Sequence, residues 1–358
     1  MRVSEVGIKG FRNVCETVFE PCDEINIFYG ENAQGKTNIV EAIWLFSGMK
    51  SFRGAKDSEL IGYNESFAKL NIKFFNSVRE NKAEIIVSNK RNAVLNGVKL
   101  HSCAALIGKF SAVVFSPSFL SVVENGPAER RKFIDTAVCQ IKPSYAALLS
   151  EYSKLLKQRN SLLRDVMFDS SLLDVLDVID EKMTAAGEKI AQERKKYLFE
   201  CEPAAKKIFE GLSSGKEEIG FLYKSSYDEG QGLKAAVKEN RKNDIINKVT
   251  SAGPHRDDIE IFLNGNSVKS FGSQGQKRSC AVALKLTEAH ILKEKTGEQP
   301  VIILDDVMSE LDAGRQDFIL NHIKNRQVFI TCCDPSPVFG ASGGKKFEIQ
   351  NGKIIKCI

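Results

Sequence analysis

The stretch Gly30-Glu31-Asn32-Ala33-Gln34-Gly35-Lys36-Thr37 fits the phosphate-loop pattern G-x-x-x-x-G-K-[ST]. The five residues before it, 25–29, are mostly apolar, β-branched or aromatic and predict a buried strand. The residues after it, 38–46, have apolar side chains at helical spacing. Strand, glycine-rich loop and helix form the context that this motif requires. The sequence therefore predicts a nucleotide-binding loop within an α/β fold.

The residue types in this loop suit a triphosphate and a magnesium ion. Backbone N–H groups of such a loop, together with the N-terminus of the following helix, form a cradle for an anion. Lys36 can reach the β- and γ-phosphates of ATP, and the Thr37 hydroxyl can bind Mg²⁺. The alternative is a chance glycine-rich turn, which the flanking strand and helix disfavour.

A second acidic motif lies far along the chain. Four apolar residues, 301–304, lead into Asp305 and Asp306. At the carboxyl end of a buried parallel strand, Asp305 can support Mg²⁺, directly or through water, and Asp306 can polarise an attacking water. The alternative is an acidic cap on the next helix. Residues 309–312 continue the motif, with Ser309 or Asp312 as the cap of a helix at 313–323.

A third stretch, Ser273-Gln274-Gly275-Gln276, precedes a long amphipathic helix. The serine and the free N–H groups after it predict a second anion site at a helix N-terminus. The alternative is a simple N-cap.

The pattern of elements predicts a sheet with helices packed on it, interrupted by a helical insert. Short strands dominate the first 120 residues, helices with i, i+3, i+4 spacing follow, and strands and helices alternate in the last third. We expect a split domain, with one part at 1–125, an α-helical arm at 126–250 and the other part at 251–358. Helices of about 22 residues would make this arm about 33 Å long.

The composition also limits the possible partners, location and metal chemistry of the protein. The chain has 358 residues, 42% hydrophobic residues and a net charge of +5, which is compatible with nucleic acid. No apolar run approaches a membrane helix, and the N-terminus resembles no signal peptide, so we expect a cytoplasmic protein with no membrane partner. Nine cysteines without a C-x-x-C pair predict free thiols, and the four histidines have no metal-ligand spacing.

Several motifs in a fixed order resemble those of the ATP-binding-cassette ATPases of the SMC type, particularly the branch that acts in recombination. They are Gly10–Asn13, Gly30–Asn38, Lys50–Arg53, Val114–Pro117, Glu129–Asp135, Gly253–Asp258, Ser273–Arg278 and Ile302–Asp312. The resemblance implies an ATPase head with a mixed sheet, plus the inserted arm. It also implies that Arg12 and Asn13 touch the nucleotide, the alternative being a strand end with a surface arginine.

In this family Ser273–Gln276 corresponds to the signature motif, which closes on the γ-phosphate bound by the other subunit. The resemblance thus implies an ATP-dependent homodimer with two ATP molecules between the protomers. It implies a weak, DNA-stimulated ATPase that works as a DNA clamp at gapped, single-strand-containing DNA, with RecR and RecO as expected partners.

Two alternatives stay open: an SMC-related or nuclease-linked ATPase of another DNA pathway, and a transporter ATPase subunit. The arm and the Gly253–Asp258 motif disfavour the transporter.

The sequence departs from the family pattern at two positions that affect the mechanism. Asp306 stands where most cassette ATPases have glutamate, which predicts slow hydrolysis, and Thr331-Cys332-Cys333-Asp334 lacks the usual switch histidine.

Basic residues on the helices are candidates for sequence-independent contacts to DNA phosphates, the alternative being a solvated helix face. They are Arg130, Arg131, Lys132, Lys154, Lys157, Arg159, Lys195, Lys196, Arg241 and Lys242.

Overall fold

The computed structural model describes residues 1–334 and 344–358. It divides into two compact units, one of residues 1–120 with 278–358 and one of residues 121–277. Residues 251–277, which the sequence analysis grouped with the last segment of the head, fall within the second unit. The division into a head and an arm at residues 125 and 250 stays a prediction.

The strands of the described residues, numbered along the chain, are β1 (Arg2–Phe11), β2 (Val14–Phe19), β3 (Ile25–Tyr29), β4 (Ala68–Phe75), β5 (Glu80–Val87), β6 (Arg91–Leu95), β7 (Val98–Lys99), β8 (Ala112–Phe115), β9 (Ile219–Lys224), β10 (Asp258–Leu263), β11 (Asn266–Ser267), β12 (Val301–Asp305), β13 (Val328–Cys332), β14 (Gly344–Gln350) and β15 (Lys353–Cys357). The α-helices are α1 (Lys36–Leu45), α2 (Ser121–Glu124), α3 (Pro127–Ile141), α4 (Pro143–Asp165), α5 (Leu172–Ser213), α6 (Gly232–Asn247), α7 (Val268–Phe271), α8 (Gln274–Thr296) and α9 (Ala313–His322).

The first unit contains a mixed sheet with the order β15-β14-β3-β13-β12-β8. The five strands from β14 to β8 are parallel, and β15 pairs antiparallel with β14. Strands β8, β12 and β13 are buried along their whole length, as expected for parallel strands covered on both faces. Because the strands are parallel, β3, β13 and β12 end at one edge of the sheet, where the predicted site lies.

The second sheet of this unit is antiparallel, with the order β2-β1-β4-β5-β6-β7. Burial alternates strictly along β4, so one face of the sheet is covered. One hydrophobic cluster unites residues of both sheets and of α1, including Phe11, Phe28 and Ile43. The helix that follows the phosphate loop is therefore fixed in the core of the unit.

The second unit contains helices α2–α7, the first turn of α8 and the three-stranded sheet β11-β10-β9. Its longest element is α5, which runs for 42 residues with Pro203 inside it. At 1.5 Å per residue this helix spans about 63 Å. Helix α4, with 23 residues, has the expected length of about 22, whereas α5 is nearly twice as long because Pro203 does not end it.

Across residues 1–334 and 344–358, no helix combines the length and the apolar character that crossing a membrane requires.

Candidate functional site

The phosphate loop connects β3 to α1 through backbone conformations that favour glycine. Gly30 has φ +142° and Gly35 has φ +109°, and Ala33 also has a positive φ of +64°. A Cβ atom on Gly35 would lie 2.7 Å from Asn13 Oδ1, and one on Gly30 would overlap the Ile349 carbonyl oxygen. Both positions therefore combine a strained φ with a close neighbour, which explains the glycines of the motif.

Lys36 is buried at this loop and folds back onto it. Its Nζ donates to the carbonyl oxygens of Gly30 (2.7 Å) and Glu31 (2.8 Å) and lies 3.7 Å from Cys333 Sγ. Two of these partners are backbone carbonyls, and among residues 1–334 and 344–358 no carboxylate forms an ion pair with this ammonium group. A buried cation beside backbone carbonyls fits a site for an anion such as a phosphate.

The phosphate loop meets the second acidic motif at Asp305. Asp305 Oδ1 accepts hydrogen bonds from Thr37 Oγ1 at 2.7 Å and from Thr331 Oγ1 at 2.8 Å. Burial raises the pKa of Asp305, the charge of Asp306 raises it further, and the two threonine hydrogen bonds lower it. Residues 37 and 305, predicted from distant parts of the sequence to share one site, lie within hydrogen-bond distance.

The oxygens of Thr37 and Asp305 suit magnesium, a hard cation with oxygen ligands. Within the described residues, no group of three or more His, Cys, Asp or Glu side chains is arranged to hold a metal ion. A magnesium ion at this position would therefore need further oxygen ligands from phosphate and water.

Asp306 follows β12 in an unusual conformation. Its φ is +56°, its N–H donates to Thr331 Oγ1 at 2.9 Å, and its carbonyl accepts from Ser309 Oγ at 3.0 Å. Left-handed backbone at a residue other than glycine is strained and is concentrated at functional sites. Of the two predicted caps, Asp312 is the N-cap of α9, accepting from the Arg315 N–H at 3.0 Å.

Arg12 and Asn13 follow β1 and lie beside the loop. Asn13 Nδ2 donates to the Ala33 carbonyl at 3.1 Å, and Asn13 Oδ1 accepts from Asn38 at 2.7 Å. Arg12 forms a two-pronged ion pair with Glu41, with Nε–Oε2 at 2.6 Å and Nη2–Oε1 at 3.0 Å. Asn13 thus contacts the loop itself, and Arg12 contacts the helix that follows the loop.

Glu41 is a residue of this site that the sequence analysis missed. It is fully buried on α1 and also accepts a hydrogen bond from Ser51, while Arg53 lies 3.7 Å away. A buried carboxylate needs a cationic partner. A glutamate among the apolar residues of a predicted buried helix is therefore the sequence signal that could have indicated this ion pair.

The C-terminal hairpin supports the loop from the other side. The N–H of Gly352 donates to the Gln34 carbonyl at 2.8 Å, and the N–H of Asn351 donates to Gln34 Oε1 at 2.7 Å. The sequence predicts the hairpin turn at these two residues but not that it contacts the phosphate loop.

Ser273–Gln276 lies in the second unit, where it starts α8 with a capping box. Ser273 Oγ accepts from the Gln276 N–H at 3.2 Å, and Gln276 Oε1 accepts from the Ser273 N–H at 2.7 Å. The N-cap interpretation is therefore confirmed. Ser273 and Gln274 are exposed, so this helix N-terminus stays accessible for a ligand.

Among the residues that the structure describes, five of the basic candidates for DNA contact form ion pairs: Arg130, Lys132, Arg159, Lys195 and Arg241. Arg130 is buried and pairs with Asp258 at 2.7 Å, and Arg159 is fully buried between Asp180 and Asp244, both at 2.6 Å. Arg241 pairs with Asp177 and Asp180. The buried guanidinium groups of Arg130 and Arg159 are bound by carboxylates rather than presented to DNA, because buried charges need partners. Arg131, Lys195 and Arg241 are partly buried, and a DNA contact there stays a prediction. Five candidates are exposed and also stay predictions: Lys132, Lys154, Lys157, Lys196 and Lys242.

The Gly253–Asp258 motif forms hydrogen bonds to several elements of the second unit. His255 Nδ1 lies 2.7 Å from the Tyr152 hydroxyl, and His255 Nε2 lies 3.1 Å from the Thr250 carbonyl. Asp257 accepts from the Tyr223 hydroxyl at 2.5 Å and from the Ser226 N–H at 2.8 Å. Burial lowers the pKa of His255 from 6.5 to about 4, so the imidazole is neutral at physiological pH.

Comparisons of the sequence with known proteins indicate one family. A family model described as the RecF/RecN/SMC N-terminal domain matches residues 2–343. The DNA replication and repair protein RecF of Acetivibrio thermocellus is 40% identical over 345 residues, covering 93% of this chain and 94% of that protein.

Solved structures agree. A structure of the recombination mediator protein RecF with ATP, from the RecFOR pathway, has a TM-score of 0.92 and 35% identity, covering 100% of this chain and 97% of the other. The Smc head domain of Pyrococcus furiosus bound to the C-terminal domain of ScpA has a TM-score of 0.56 and 17% identity, covering 100% and 96%. At that identity the likeness shows the fold alone.

Proposed function

The chain belongs to the RecF/RecN/SMC N-terminal domain family, and on that premise we propose that it is an ATP-dependent DNA-binding clamp with weak, DNA-stimulated ATPase activity. The contact between Thr37 of the phosphate loop and Asp305 at the end of β12 carries this proposal. It joins a triphosphate-binding loop to a carboxylate that can support a metal, which is the minimum that an ATPase site needs.

We assign the following roles to the residues of this site. The loop from Gly30 to Asn38 holds the phosphates, and Lys36 leaves its carbonyl partners to bind the β- and γ-phosphates. Thr37 and Asp305 would hold Mg²⁺, which would neutralise charge on the phosphate oxygens. Asp306 positions the attacking water, and because its side chain is shorter than that of glutamate, slow turnover is expected. Glu41 fixes the guanidinium of Arg12 next to the nucleotide.

The exposed N-terminus of α8 at Ser273 and Gln274 supports a role in a dimer. In the proposed clamp, Ser273, Gln274, Gly275 and Gln276 of one protomer meet the γ-phosphate held by the other, and hydrolysis reopens the pair. An exposed helix N-terminus with a serine hydroxyl is chemically suited to a phosphate. ATP would therefore close two protomers around DNA.

We place this clamp in recombinational repair and replication restart, where it helps to load recombinase at single-strand gaps. The relative named RecF is a DNA replication and repair protein, and the solved structure with ATP belongs to the RecFOR pathway. RecR, acting with RecO, is the expected partner, and the site of action would be the cytoplasm, at the nucleoid. The likeness to Smc heads concerns the fold and favours no particular DNA pathway.

ATP turnover with gapped DNA, duplex DNA and no DNA, at two salt concentrations, tests this function. We expect DNA to stimulate turnover and the stimulation to fall steeply with salt, since contacts to phosphates release counterions. Lys36→Ala should weaken ATP binding about 10- to 100-fold, because a hydrogen bond to a charged group contributes about 1.5–3 kcal/mol.

Lys353→Ala, at an exposed lysine of β15 in the same unit, is the matched control and should bind ATP like the wild type. Wild-type turnover in Lys36→Ala would contradict the assignment of the site. Turnover that ignores all DNA forms would contradict the clamp.

A further inference from the structure

The turn between α4 and α5 exposes large apolar side chains. Phe168 is 89% exposed and Met167 is 65% exposed, and Leu173, Val175 and Val178 on the first turns of α5 are also exposed. Val175 and Val178 are three residues apart and therefore share a helix face. We refer to residues 165–178 as the helical tip. It is an apolar surface that the described part of the chain leaves uncovered.

The tip is a defined structure rather than a loose loop. The Phe168 N–H donates to the Asp165 carbonyl at 2.9 Å, and Asp169 Oδ1 accepts from the Ser171 N–H at 3.0 Å and from Ser171 Oγ at 2.7 Å. Val166 and Leu176 are buried beneath it. The turn therefore separates its apolar residues into a buried set and an exposed set.

The tip is also strongly acidic. Residues 165–178 contain four acidic residues and no lysine or arginine, in a chain whose net charge is +5, and Arg164 directly precedes them; the four are Asp165, Asp169, Asp174 and Asp177. Asp177 and Asp180 pair with Arg241. Asp165, Asp169 and Asp174 are exposed and alternate along the sequence with the exposed apolar residues. Hydrogen bonds from Ser171 lower the pKa of Asp169, so this carboxylate is ionised at neutral pH.

The exposed apolar side chains and the acidic residues of the helical tip together limit the kind of molecule that can bind there. These acidic residues repel DNA phosphates and anionic lipid headgroups, and they would repel the same residues on a second copy of this chain. An exposed phenylalanine beside a methionine is typical of the centre of a protein interface, where aromatic anchors enter an apolar pocket.

We propose that the helical tip docks a different protein, one that presents an apolar pocket edged by lysine and arginine side chains. Phe168 and Met167 enter the pocket, and Asp165, Asp169 and Asp174 face the basic edge. The proposal rests on the proposed function only for the choice of probes, RecR and RecO, which are the proteins expected to act with this clamp.

Two tip variants of the full chain test this, Phe168→Ser and the double variant Asp169→Lys/Asp174→Lys. Their matched controls are Phe199→Ser, at a phenylalanine 79% exposed on α5, and Glu239→Lys, at an exposed acidic residue of α6. Phe199 lies 31 residues further along the chain, about 46 Å along a helix. Binding of each variant to purified RecR and purified RecO of the same organism is measured with ATP present.

We expect both tip variants to weaken binding to one of these proteins at least about tenfold and both controls to leave it unchanged. The effect of the charge reversal should shrink at high salt. Equal affinity of wild type and tip variants for both probes, or binding of neither probe by the wild type, would overturn the proposal.

Two further outcomes would also overturn it. Weaker DNA binding by Phe168→Ser would assign the tip to DNA, and loss of the ATP-dependent dimer in that variant would assign it to a second copy. Wild-type ATP turnover and DNA binding are measured in parallel, so a failure of the clamp is distinguished from a failure of the tip.

Discussion

Asp305 holds a negative charge in a place that disfavours it. It lies at the end of a fully buried strand, next to Asp306, and the two threonine hydrogen bonds and the charge of Arg53 offset only part of the effect of burial. Its raised pKa means that the folded protein binds this proton more tightly than the unfolded chain does. The ionised form therefore lowers the free energy of unfolding, and the loss appears as the pH rises above 3.8 towards the folded-state pKa.

Asp305→Asn should stabilise the nucleotide-free protein while abolishing ATP turnover. The amide oxygen can still accept from both threonines, and the buried charge is gone, so we expect a gain on the order of 1 kcal/mol at pH 7. Urea unfolding measures it, and the gain should shrink as the pH falls towards the ordinary pKa of aspartate. Asp317→Asn, at an exposed position on α9, is the control. A variant less stable than wild type at pH 7 would refute this interpretation.

Because of His255, the free energy of unfolding of the second unit depends on pH. Its pKa falls to about 4 on folding, chiefly because of burial, while the unfolded chain has the ordinary 6.5. Between these values the unfolded state binds the proton, so stability is complete above pH 6.5 and decreases as the pH falls. From pH 7 to pH 5 this residue should lower the free energy of unfolding by about 2 kcal/mol.

His255→Gln removes the titrating group but keeps a side chain that can bond to Tyr152 and Thr250. We expect its stability to vary less than that of the wild type between pH 7 and pH 5, by about 2 kcal/mol in denaturant titrations. His290→Gln, at an exposed histidine of α8, should keep the wild-type dependence. If both variants show the same pH dependence, another group is responsible.

The sequence predicts Lys36, Thr37 and Asp305 because each belongs to a contiguous motif and parallel strands place their ends at one edge. Glu41 and the Asn351–Gly352 turn escape prediction for a physical reason. Each acts through a contact between segments distant in sequence, Glu41 with Arg12 and the turn with Gln34. A single sequence contains no signal for such a pair beyond the general need of a buried charge for a partner.

Among the elements, those with continuous burial are predicted best. The unbroken apolar run Ala112–Phe115 predicts β8 with its observed bounds, and the mostly apolar, β-branched and aromatic residues 25–29 predict β3 with its observed bounds. Strand β2 was missed, since its buried positions do not alternate regularly with exposed ones. In place of α5 the sequence predicts two helical segments, 172–199 and 203–212, because proline is a strong helix breaker. Packing within the unit overrides that preference.

Pro203 should therefore destabilise the helix that contains it. It lacks the N–H that would bond to the carbonyl of Phe199, and a proline inside a helix costs about 3 kcal/mol relative to alanine. Pro203 is exposed, so Pro203→Ala removes no core packing. We expect a higher free energy of unfolding, by about 1–3 kcal/mol in denaturant titrations, with a change under about 0.5 kcal/mol for Lys207→Ala on the same helix. A destabilised Pro203→Ala would mean that the helix needs the bend a proline imposes.

At the scale of the whole molecule, the order of the motifs predicts the family, but it does not predict where the compact units begin and end. Strand β10 follows the helical insert in sequence, yet it pairs with β9 inside the second unit and carries Asp258, the partner of Arg130. The sequence analysis placed these residues with the head because strands there alternate with helices. Which sheet a strand joins depends on its edge partners, and the alternation of strands and helices does not encode them.

The proposed clamp requires Ser273 to act on the ATP of another protomer, and a substitution can separate that role from its role as a cap. Aspartate is as good an N-cap as serine, so Ser273→Asp should keep α8 and the stability of the chain. Its carboxylate would face the γ-phosphate across the dimer interface and repel it. We expect Ser273→Asp, like Ser273→Ala, to bind ATP like the wild type but to sediment as a monomer with ATP, whereas Lys36→Ala should bind ATP about 10- to 100-fold more weakly. Ser153→Asp, at an exposed serine of α4, adds the same charge elsewhere and should still dimerise. ATP-dependent dimers of Ser273→Asp in sedimentation velocity would show that this helix N-terminus meets no γ-phosphate, and the clamp would lose its closing contact.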